Sequence, residues 1–445
     1  MRAYDSICLG VPEALIPKRG TDLTKWAVIA CDQYTSEPEY WRKAADLVGG
    51  APSTLNLIYP EVFLGEKDPG TRIARIQSSM RRYLDQGLFD AEEGFVYLER
   101  ESGGRTRKGL VICLDLEHYD YRKSSTTLIR ATEGTILERI PPRVRIREGA
   151  LLELPHIMVL IDDPGDMVLG PLAANKAKLP KIYDFELMLG SGHLRGWRVR
   201  DEARERAVVD GLKALADPAE FCRRYGLAEG TPVLLYAMGD GNHSLATAKT
   251  IWEKTKEHAS DRAGIMASPL RYAMVEIVNL HDDALIFEPI HRVLFDVAPD
   301  ADIFAKINET YSGSWRRYGM SGLEEMKAVV DGQVGVPHKV GLVSAAGCAV
   351  AEIDRPDTNL PVGTLQGCLD AFMKAEGARE IDYVHGTESV AHLGAKPGNI
   401  GFYLPAMKKT ELFRTVILDG ALPRKTFSMG EAAEKRFYLE ARKLI

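Results

Sequence analysis

Gly239-Asp240-Gly241-Asn242-His243-Ser244 lies between an apolar run, residues 233–238, and a stretch with helical periodicity. The run is short, apolar and preceded by Pro232, which is typical of a buried strand. Beyond Ser244, apolar residues recur at intervals of three and four through residue 252, which predicts an amphipathic helix. The sequence therefore predicts that a strand delivers this polar turn to the start of a helix.

The polar turn has the composition of an anion site. Two glycines beside an acid permit a tight turn and a close approach of a ligand to the main chain, and the free N–H groups of a helix's first turn favour a phosphate. The predicted phosphate contacts are Gly239, Gly241, Asn242 and Ser244. Asp240 is predicted to be a general base or a metal ligand, and His243 a proton donor or phosphate contact. The ordinary alternative is that Asn242 or Ser244 caps the helix and Asp240 is a turn residue.

Composition bounds the class of protein without specifying it. A chain of 445 residues with 45% hydrophobic residues can form two or three domains. The net charge of -6 offers no general attraction to nucleic acid. The six cysteines show no metal-ligand or disulfide-framework spacing, and no apolar segment is long enough to span a bilayer. We expect a cytoplasmic protein with reduced thiols and no membrane partner, and its oligomeric state stays open.

The pattern of elements predicts a mixed α/β fold. Strand-like and helix-like segments alternate along the whole chain, without repeats. Glycine and proline signals suggest boundaries near 190 and 298, which would give an N-terminal α/β region 1–190, a motif-bearing segment 191–298 and a C-terminal α/β region 299–445. Residues 430–442 are predicted to form a helix.

Arginines alternate with apolar residues after Pro141-Pro142. If residues 139–147 are extended, Arg143, Arg145 and Arg147 share one basic face. A solvated strand face is the ordinary explanation, and a phosphate-binding wall is the functional one.

Five stretches together resemble a known family. They are Asp240 to Ser244, Ala30-Cys31-Asp32-Gln33-Tyr34, Ile129-Arg130-Ala131-Thr132-Glu133, Pro289-Ile290-His291-Arg292 and Leu422-Pro423-Arg424-Lys425-Thr426. The chain resembles the long bacterial and archaeal proteins of a domain of unknown function whose signature is Asp-Gly-His-His-Arg. Through that signature it is similar to the ParB/sulfiredoxin-like free serine kinases, SerK, in which the aspartate is needed for phosphoryl transfer. Asn242 and Ser244 replace the first His and the Arg, so a cation must come from elsewhere.

The resemblance implies a ParB/sulfiredoxin-like core with family-specific extensions. It suggests further site residues: Asp32, Gln33, Glu133, His291, Arg292 and Lys425. Asp32 is otherwise a turn acid, His291 a structural histidine and Lys425 a surface lysine. Glu133 is the second carboxylate that we expect to act in catalysis.

The resulting hypothesis is a nucleotide-dependent phosphotransferase that acts on free serine or a comparable hydroxyl-bearing metabolite. ADP or ATP would be the phosphate donor, with Mg²⁺ held by Asp240, and Arg143, Arg145 or Lys425 would stabilise the transferring phosphoryl group. The first alternative is a noncatalytic sensor that binds a nucleotide or phosphorylated metabolite. The second is a ParB-like nucleic-acid-binding protein, for which the alternating arginines are the only support.

Overall fold

A strand, Tyr236–Asp240, and a helix, Asn242–His258, meet at Gly241 in the computed structural model, which describes residues 1–444. The predicted strand-to-helix turn is confirmed, but the strand begins later than predicted and includes Gly239 and Asp240. The guanidinium of Arg130 donates hydrogen bonds to the carbonyls of Pro232 and Val233. These carbonyls are therefore bonded to a side chain and not to a neighbouring strand.

The helices and strands are numbered in chain order. The strands are β1 (Ala3–Tyr4), β2 (Leu9–Gly10), β3 (Glu13–Pro17), β4 (Val28–Ile29), β5 (Phe89–Glu93), β6 (Phe95–Ser102), β7 (Arg105–Asp115), β8 (Tyr119–Asp120), β9 (Ile129–Arg130), β10 (Leu152–Glu153), β11 (Met158–Ile161), β12 (Lys181–Glu186), β13 (His193–Val199), β14 (Tyr236–Asp240), β15 (Tyr272–Asn279), β16 (Phe287–Val297), β17 (Trp315–Met320), β18 (His338–Ser344), β19 (Gly347–Ile353), β20 (Ala378–His385), β21 (Ile400–Tyr403), β22 (Phe427–Met429), β23 (Phe437–Tyr438) and β24 (Arg442–Lys443). The helices are α1 (Leu23–Trp26), α2 (Pro38–Val48), α3 (Pro69–Asp85), α4 (Ile140–Arg147), α5 (Gly170–Asn175), α6 (Glu202–Leu215), α7 (Pro218–Tyr225), α8 (Asn242–His258), α9 (Ile303–Thr310), α10 (Leu323–Asp331), α11 (Pro361–Lys374), α12 (Thr387–Gly394) and α13 (Lys409–Asp419).

The chain forms two compact units. The first comprises Met1–Leu285 and Glu431–Ile445, and the second comprises Ile286–Gly430. The predicted boundaries at 190 and 298 do not coincide with these divisions. One physical reason is that β13, just after residue 190, pairs along its whole length with β6 of the same sheet.

A mixed sheet organises the first unit. Its strand order is β12-β13-β6-β7-β15-β11-β14-β9-β8, with β2 also paired to β7. β11 runs parallel to β15 and antiparallel to β14, so the predicted mixed α/β fold is confirmed. Phe95 and Tyr97 belong to one buried cluster while Val96 and Leu98 belong to another, so alternate residues of β6 face two different cores.

The second unit has its own sheet and core. The strand order is β17-β19-β18-β21-β16-β20, and β22 pairs with β16. Val293 and Val350 of the sheet pack with Met326 and Val330 of α10 and with Val390 of α12. Across the part of the chain that the structure describes, no helix is long and apolar enough to cross a bilayer.

The arginine-rich segment is a helix, which corrects the prediction of an extended basic face. Pro141 and Pro142 lie in the first turn of α4, where a missing N–H is tolerated. Ile140 and Val144 lie four residues apart and pack against Ala246 and Ile251 of α8. The helical period separates Arg145 from Arg143 and Arg147, so the three arginines do not form one wall.

The C-terminal stretch 430–442 is also different from the prediction. It forms a short turn at Ala432–Glu434 and then extended chain, in which β23 pairs with β4 and β24 pairs with β10. Arg436 donates to Glu276 Oε2 at 2.5 Å and to Glu440 Oε2 at 2.6 Å. All three side chains are buried, so these ion pairs fix the extended stretch within the first unit.

Replacement of Arg436 by Met should strongly destabilise the protein. Glu276 and Glu440 would lose their cation in a dry core, which costs about 3–5 kcal/mol. The free energy of unfolding, from urea titration, measures this loss. Arg206→Met is the matched control because Arg206 pairs with Glu202 on the exposed face of α6, and it should change stability little. Equal effects of the two changes would contradict the assignment.

Candidate functional site

The turn between β14 and α8 depends on Gly241. Its φ of 80° lies in the left-handed region, and a Cβ at this position would lie 3.1 Å from the Cα of Ile157. Glycine therefore allows both the turn and the close approach of the segment before β11. Gly239 lies within the strand, so only one of the two glycines forms the turn itself.

Asp240 faces a lysine from the C-terminal stretch. Its Oδ2 lies 3.2 Å from Lys435 Nζ, and its Oδ1 accepts the main-chain N–H of Gly241 at 2.9 Å. The side chains of both residues are partly buried. Lys435 thus brings a cation to the motif, where the sequence has no arginine.

The first turn of α8 contains two buried polar atoms without a hydrogen-bond partner in the described structure, Asn242 Oδ1 and His243 Nε2. Gly241 is the N-cap residue, and no side chain caps the helix. Asn242 and Ser244 are therefore not the caps that the ordinary interpretation required. An uncapped helix start with unpartnered polar atoms is a favourable place for a polar ligand.

His243 is neutral at physiological pH. Burial, and then the charges of Arg143 and Arg139, lower the pKa of His243 to about 4. A neutral imidazole can form a hydrogen bond with a phosphate oxygen but adds no positive charge. The charge that stabilises an anion here must come from other groups.

Ser244 is linked to two side chains that are distant in sequence. Its Oγ lies 2.8 Å from His156 Nε2, and His156 Nδ1 lies 2.9 Å from the hydroxyl of Tyr438. The N–H of Cys31 donates to the same tyrosine hydroxyl at 3.2 Å. The hydrogen bonds thus join the C-terminal strand β23 to the first turn of α8.

The phenol of Tyr438 keeps its proton, because burial raises its pKa well above the ordinary value. The tautomer of His156 decides whether its Nε2 or the Ser244 hydroxyl is the donor in the contact between them. In either tautomer the Ser244 oxygen keeps a lone pair for a further hydrogen bond.

The arginines of α4 have different surroundings. Arg143 Nε donates to Glu61 Oε1 at 2.9 Å, and Arg147 pairs with Glu153 at 2.5 Å. Arg145 is exposed. Burial raises the pKa of Glu61, while Arg143 opposes that shift. Of the three arginines, Arg143 is the one whose charge acts on His243.

Asp32 and Gln33 lie beside the same histidine, and Thr132, the residue before Glu133, contacts β14. Asp32 Oδ2 is 3.8 Å from His156 Nε2, and Gln33 Nε2 donates to Asp32 Oδ1 at 3.0 Å. Thr132, which precedes Glu133, donates to the carbonyl of Met238 at 2.7 Å. The N-terminal and central stretches named in the sequence analysis therefore both approach the motif in the first unit.

His291, Arg292 and Lys425 belong to the second unit, whereas Asp240 belongs to the first. His291 is buried, stacks on Tyr403 and accepts the N–H of Leu404 at 3.2 Å. Arg292 is buried and donates to Gln366 Oε1 at 3.2 Å. Lys425 is exposed and has a φ of 55°. The first two have the partners of structural residues, and the roles given to all three by resemblance stay predictions.

A cavity of about 130 Å³ adjoins the first turns of α8. Ser244 and Arg143 line it, together with Glu61, His156 and Tyr438. Glu61, His156, Tyr438 and Lys435 were not among the predicted site residues. They lie far from the motif in sequence and follow no local pattern, so only the long-range contacts reveal them.

The residues at Asp240 do not fit a metal ion held by the protein. No cluster of three His, Cys, Asp or Glu side chains with metal-ligand geometry occurs within residues 1–444. Asp240 already faces the ammonium of Lys435. Mg²⁺ needs several oxygen ligands, so the reaction proposed below uses no metal ion held by Asp240.

The fold and the turn define a mixed α/β protein with a polar strand-to-helix site. Residues 15–372 match the family described as "Protein of unknown function (DUF1015)", and the chain belongs to that family. No curated protein matches it.

Several solved structures are similar over much of the chain. A mutant of a free serine kinase in complex with ADP is 11% identical, with a TM-score of 0.39, over 78% of this chain and 95% of that chain. A free serine kinase in complex with AMP is 11% identical, with a TM-score of 0.38, over 75% and 92%. A conserved hypothetical protein from Pyrococcus furiosus is 10% identical, with a TM-score of 0.35, over 75% and 94%. At these TM-scores the likeness does not by itself indicate a shared activity.

Replacement of Gly241 by Ala should cost more stability than the same change at Gly230. Both glycines have a φ close to 80°, but a Cβ at Gly230 meets no atom within 4 Å. The left-handed conformation alone costs about 1–2 kcal/mol, and Gly241→Ala adds the contact with Ile157. Urea unfolding of both variants measures the difference. Equal losses would show that the approach of Ile157 does not constrain the turn.

The second unit should lose stability in acid through His291. Burial lowers the pKa of His291 to about 4, so between about pH 6.5 and pH 4 the unfolded chain binds a proton that the folded chain does not. Stability should therefore fall as the pH drops through this window, by at most about 3 kcal/mol from this group. His291→Asn should reduce the fall in unfolding free energy, and the exposed His392→Asn is the control. The same pH profile in His291→Asn and the wild type would contradict the prediction.

Proposed function

We propose that the chain is a phosphotransferase that uses a nucleotide to phosphorylate the hydroxyl of a small metabolite. The carrying observation is the first turn of α8, which is uncapped, contains the unpartnered Asn242 Oδ1 and His243 Nε2, and follows an aspartate that faces Lys435. A helix start that combines free N–H groups with a nearby ammonium suits phosphate oxygens.

Each group has a role in this proposal. The main-chain N–H groups of Asn242 and His243 and the ammonium of Lys435 donate to the phosphate oxygens, since the N–H groups of Gly241 and Ser244 are already bonded within the turn. The neutral imidazole of His243 donates or accepts one further hydrogen bond. The Ser244 hydroxyl, held by His156, forms a further hydrogen bond. Charge stabilisation and positioning are the main requirements of phosphoryl transfer.

Asp240 is the proposed proton acceptor. The acceptor hydroxyl oxygen forms a bond to the terminal phosphorus, the bond from that phosphorus to the nucleotide's bridging oxygen breaks, and the hydroxyl proton passes to Asp240. A carboxylate beside an ammonium is a weak base, which suffices because the transition state is loose and the proton leaves late. Glu133 remains the second carboxylate that we propose for this site.

The test compares nucleotide binding and phosphate transfer in Asp240→Asn. ADP, ATP and AMP are titrated calorimetrically, and the stabilising nucleotide is then assayed for transfer to free serine and other alcohols by phosphorus NMR. The variant should keep nucleotide affinity, because a negative charge near the phosphates is removed, and it should lose transfer by about 100-fold or more. Asp210→Asn changes an exposed carboxylate on α6 and should alter neither property.

The other outcomes separate the hypotheses. Nucleotide binding without transfer by the wild type would favour the noncatalytic sensor. Absence of binding to any of the three nucleotides would refute the phosphate site. Transfer that survives in Asp240→Asn would remove Asp240 from the chemistry.

A further inference from the structure

The cavity beside Ser244 is lined by both apolar and polar side chains. It lies within the first unit, between α3, α4, β10 and the first turns of α8. Its lining residues are Cys31, Leu57, Ile58, Tyr59, Glu61, Leu64, Ile76, Met80, Arg143, Ile146, Arg147, Ala150, Leu152, Glu153, Leu154, His156, Ser244, Thr247 and Tyr438. Aliphatic side chains make up much of this lining, and the others include hydroxyls, His156 and four charged side chains.

The size and the aliphatic wall indicate an apolar guest. The volume of about 130 Å³ is close to that of an engineered cavity of about 150 Å³ that binds benzene. Ile76 and Met80 of α3 contribute to the wall, together with Leu152 of β10, and all three side chains are buried. An apolar group of about six carbon atoms matches this space and gains free energy by leaving water.

The charged lining residues are already paired. Arg143 pairs with Glu61, and Arg147 pairs with Glu153, whose carboxylate also accepts from Arg442 at 2.6 Å. Among the described lining residues, these pairs leave neither arginine dedicated to a ligand carboxylate, and neither glutamate dedicated to a ligand ammonium. The two charged groups of free serine would lose hydration without gaining partners of their own. The cavity therefore disfavours a free amino acid.

The polar part of the lining suits one neutral hydroxyl. Ser244 lines the cavity, and its Oγ is held 2.8 Å from His156 Nε2. The Ser244 oxygen has a second lone pair that can accept from the guest. Ser244 also belongs to the first turn of α8, where the proposed function places the nucleotide phosphates.

We infer that the phosphate acceptor is a small alcohol with an apolar group of about six carbon atoms, held in this cavity with its hydroxyl at Ser244. This inference rests on the proposed function for the transfer itself, but the binding of such an alcohol does not require it. In the transfer, the alcohol oxygen forms a bond to the terminal phosphorus, the bond from that phosphorus to the nucleotide's bridging oxygen breaks, and the hydroxyl proton passes to Asp240. Asp240 is not a lining residue, so this step requires the hydroxyl to lie at the Ser244 end of the cavity.

The experiment first measures binding without nucleotide. Fluorine NMR follows 4-fluorobenzyl alcohol and 4-fluorotoluene, two probes that differ in the hydroxyl. The wild type should bind the alcohol more tightly than the toluene, and free serine should not displace either probe. Ala150→Ile fills part of the cavity and should lower the affinity for both probes by about ten-fold or more. Ala203→Ile, an exposed position on α6, should change neither.

A second variant tests the hydroxyl contact without altering the volume. Ser244→Ala should lower the affinity for the alcohol by about three- to ten-fold, which is the typical contribution of one hydrogen bond. The affinity for the toluene should not change. If Ala150→Ile does not fold, the comparison of the two probes in Ser244→Ala still tests whether the alcohol binds with its hydroxyl at Ser244. Equal changes for both probes, or displacement of both by serine, would overturn the inference.

Nucleotide is added last, so that the two proposals can fail separately. Alcohol binding without phosphorylation would support the cavity assignment and refute the proposed transfer. Phosphorylation of serine by a protein that binds neither probe would support the transfer and overturn the inferred acceptor.

Discussion

The site depends on the ion pairs that the buried guanidinium of Arg436 forms in the core. It lies between the carboxylates of Glu276 and Glu440, and burial of such charges is tolerable only when they are paired. Its neighbour Lys435 faces Asp240, and Tyr438 two residues later contacts His156. In extended chain, adjacent side chains point in opposite directions. Arg436 can therefore anchor the segment in the core while its neighbour Lys435 supplies a cation to the site. The Tyr438 hydroxyl reaches the site through His156.

Local patterns predicted the elements whose partners are close in sequence. The apolar run before Gly239 and the helical period after Ser244 predicted the strand-to-helix turn between β14 and α8. The prediction failed where long-range contacts decide the conformation. Residues 430–442 have helical composition, but buried ion pairs and pairing of β23 with β4 hold them extended. In α4 the alternation of arginines suggested a strand, whereas the two prolines and the contact with α8 favour a helix.

The candidate site was predictable in its centre and not in its periphery. Asp240, His243 and Ser244 follow one another at a strand-to-helix turn, which is a local signal. His156 and Lys435 are distant in the chain, and a single sequence contains no period or spacing that links them to Ser244 or Asp240. The resemblance described in the sequence analysis places an arginine where this chain has Ser244, and it therefore implied that a cation must come from elsewhere. The structure brings Lys435 and Arg143 to this part of the fold.

The balance of charge at the motif follows from these contacts. His243 is neutral because burial and two arginines oppose its protonation, and Arg143 is engaged by Glu61. The ammonium of Lys435 lies 3.2 Å from Asp240 Oδ2, whereas Arg143 donates to Glu61 through two nitrogen atoms. A phosphate group with two negative charges can therefore compete for this ammonium more readily than for Arg143. In the proposed function Lys435 thus faces two anions, the carboxylate of Asp240 and a phosphate of the nucleotide.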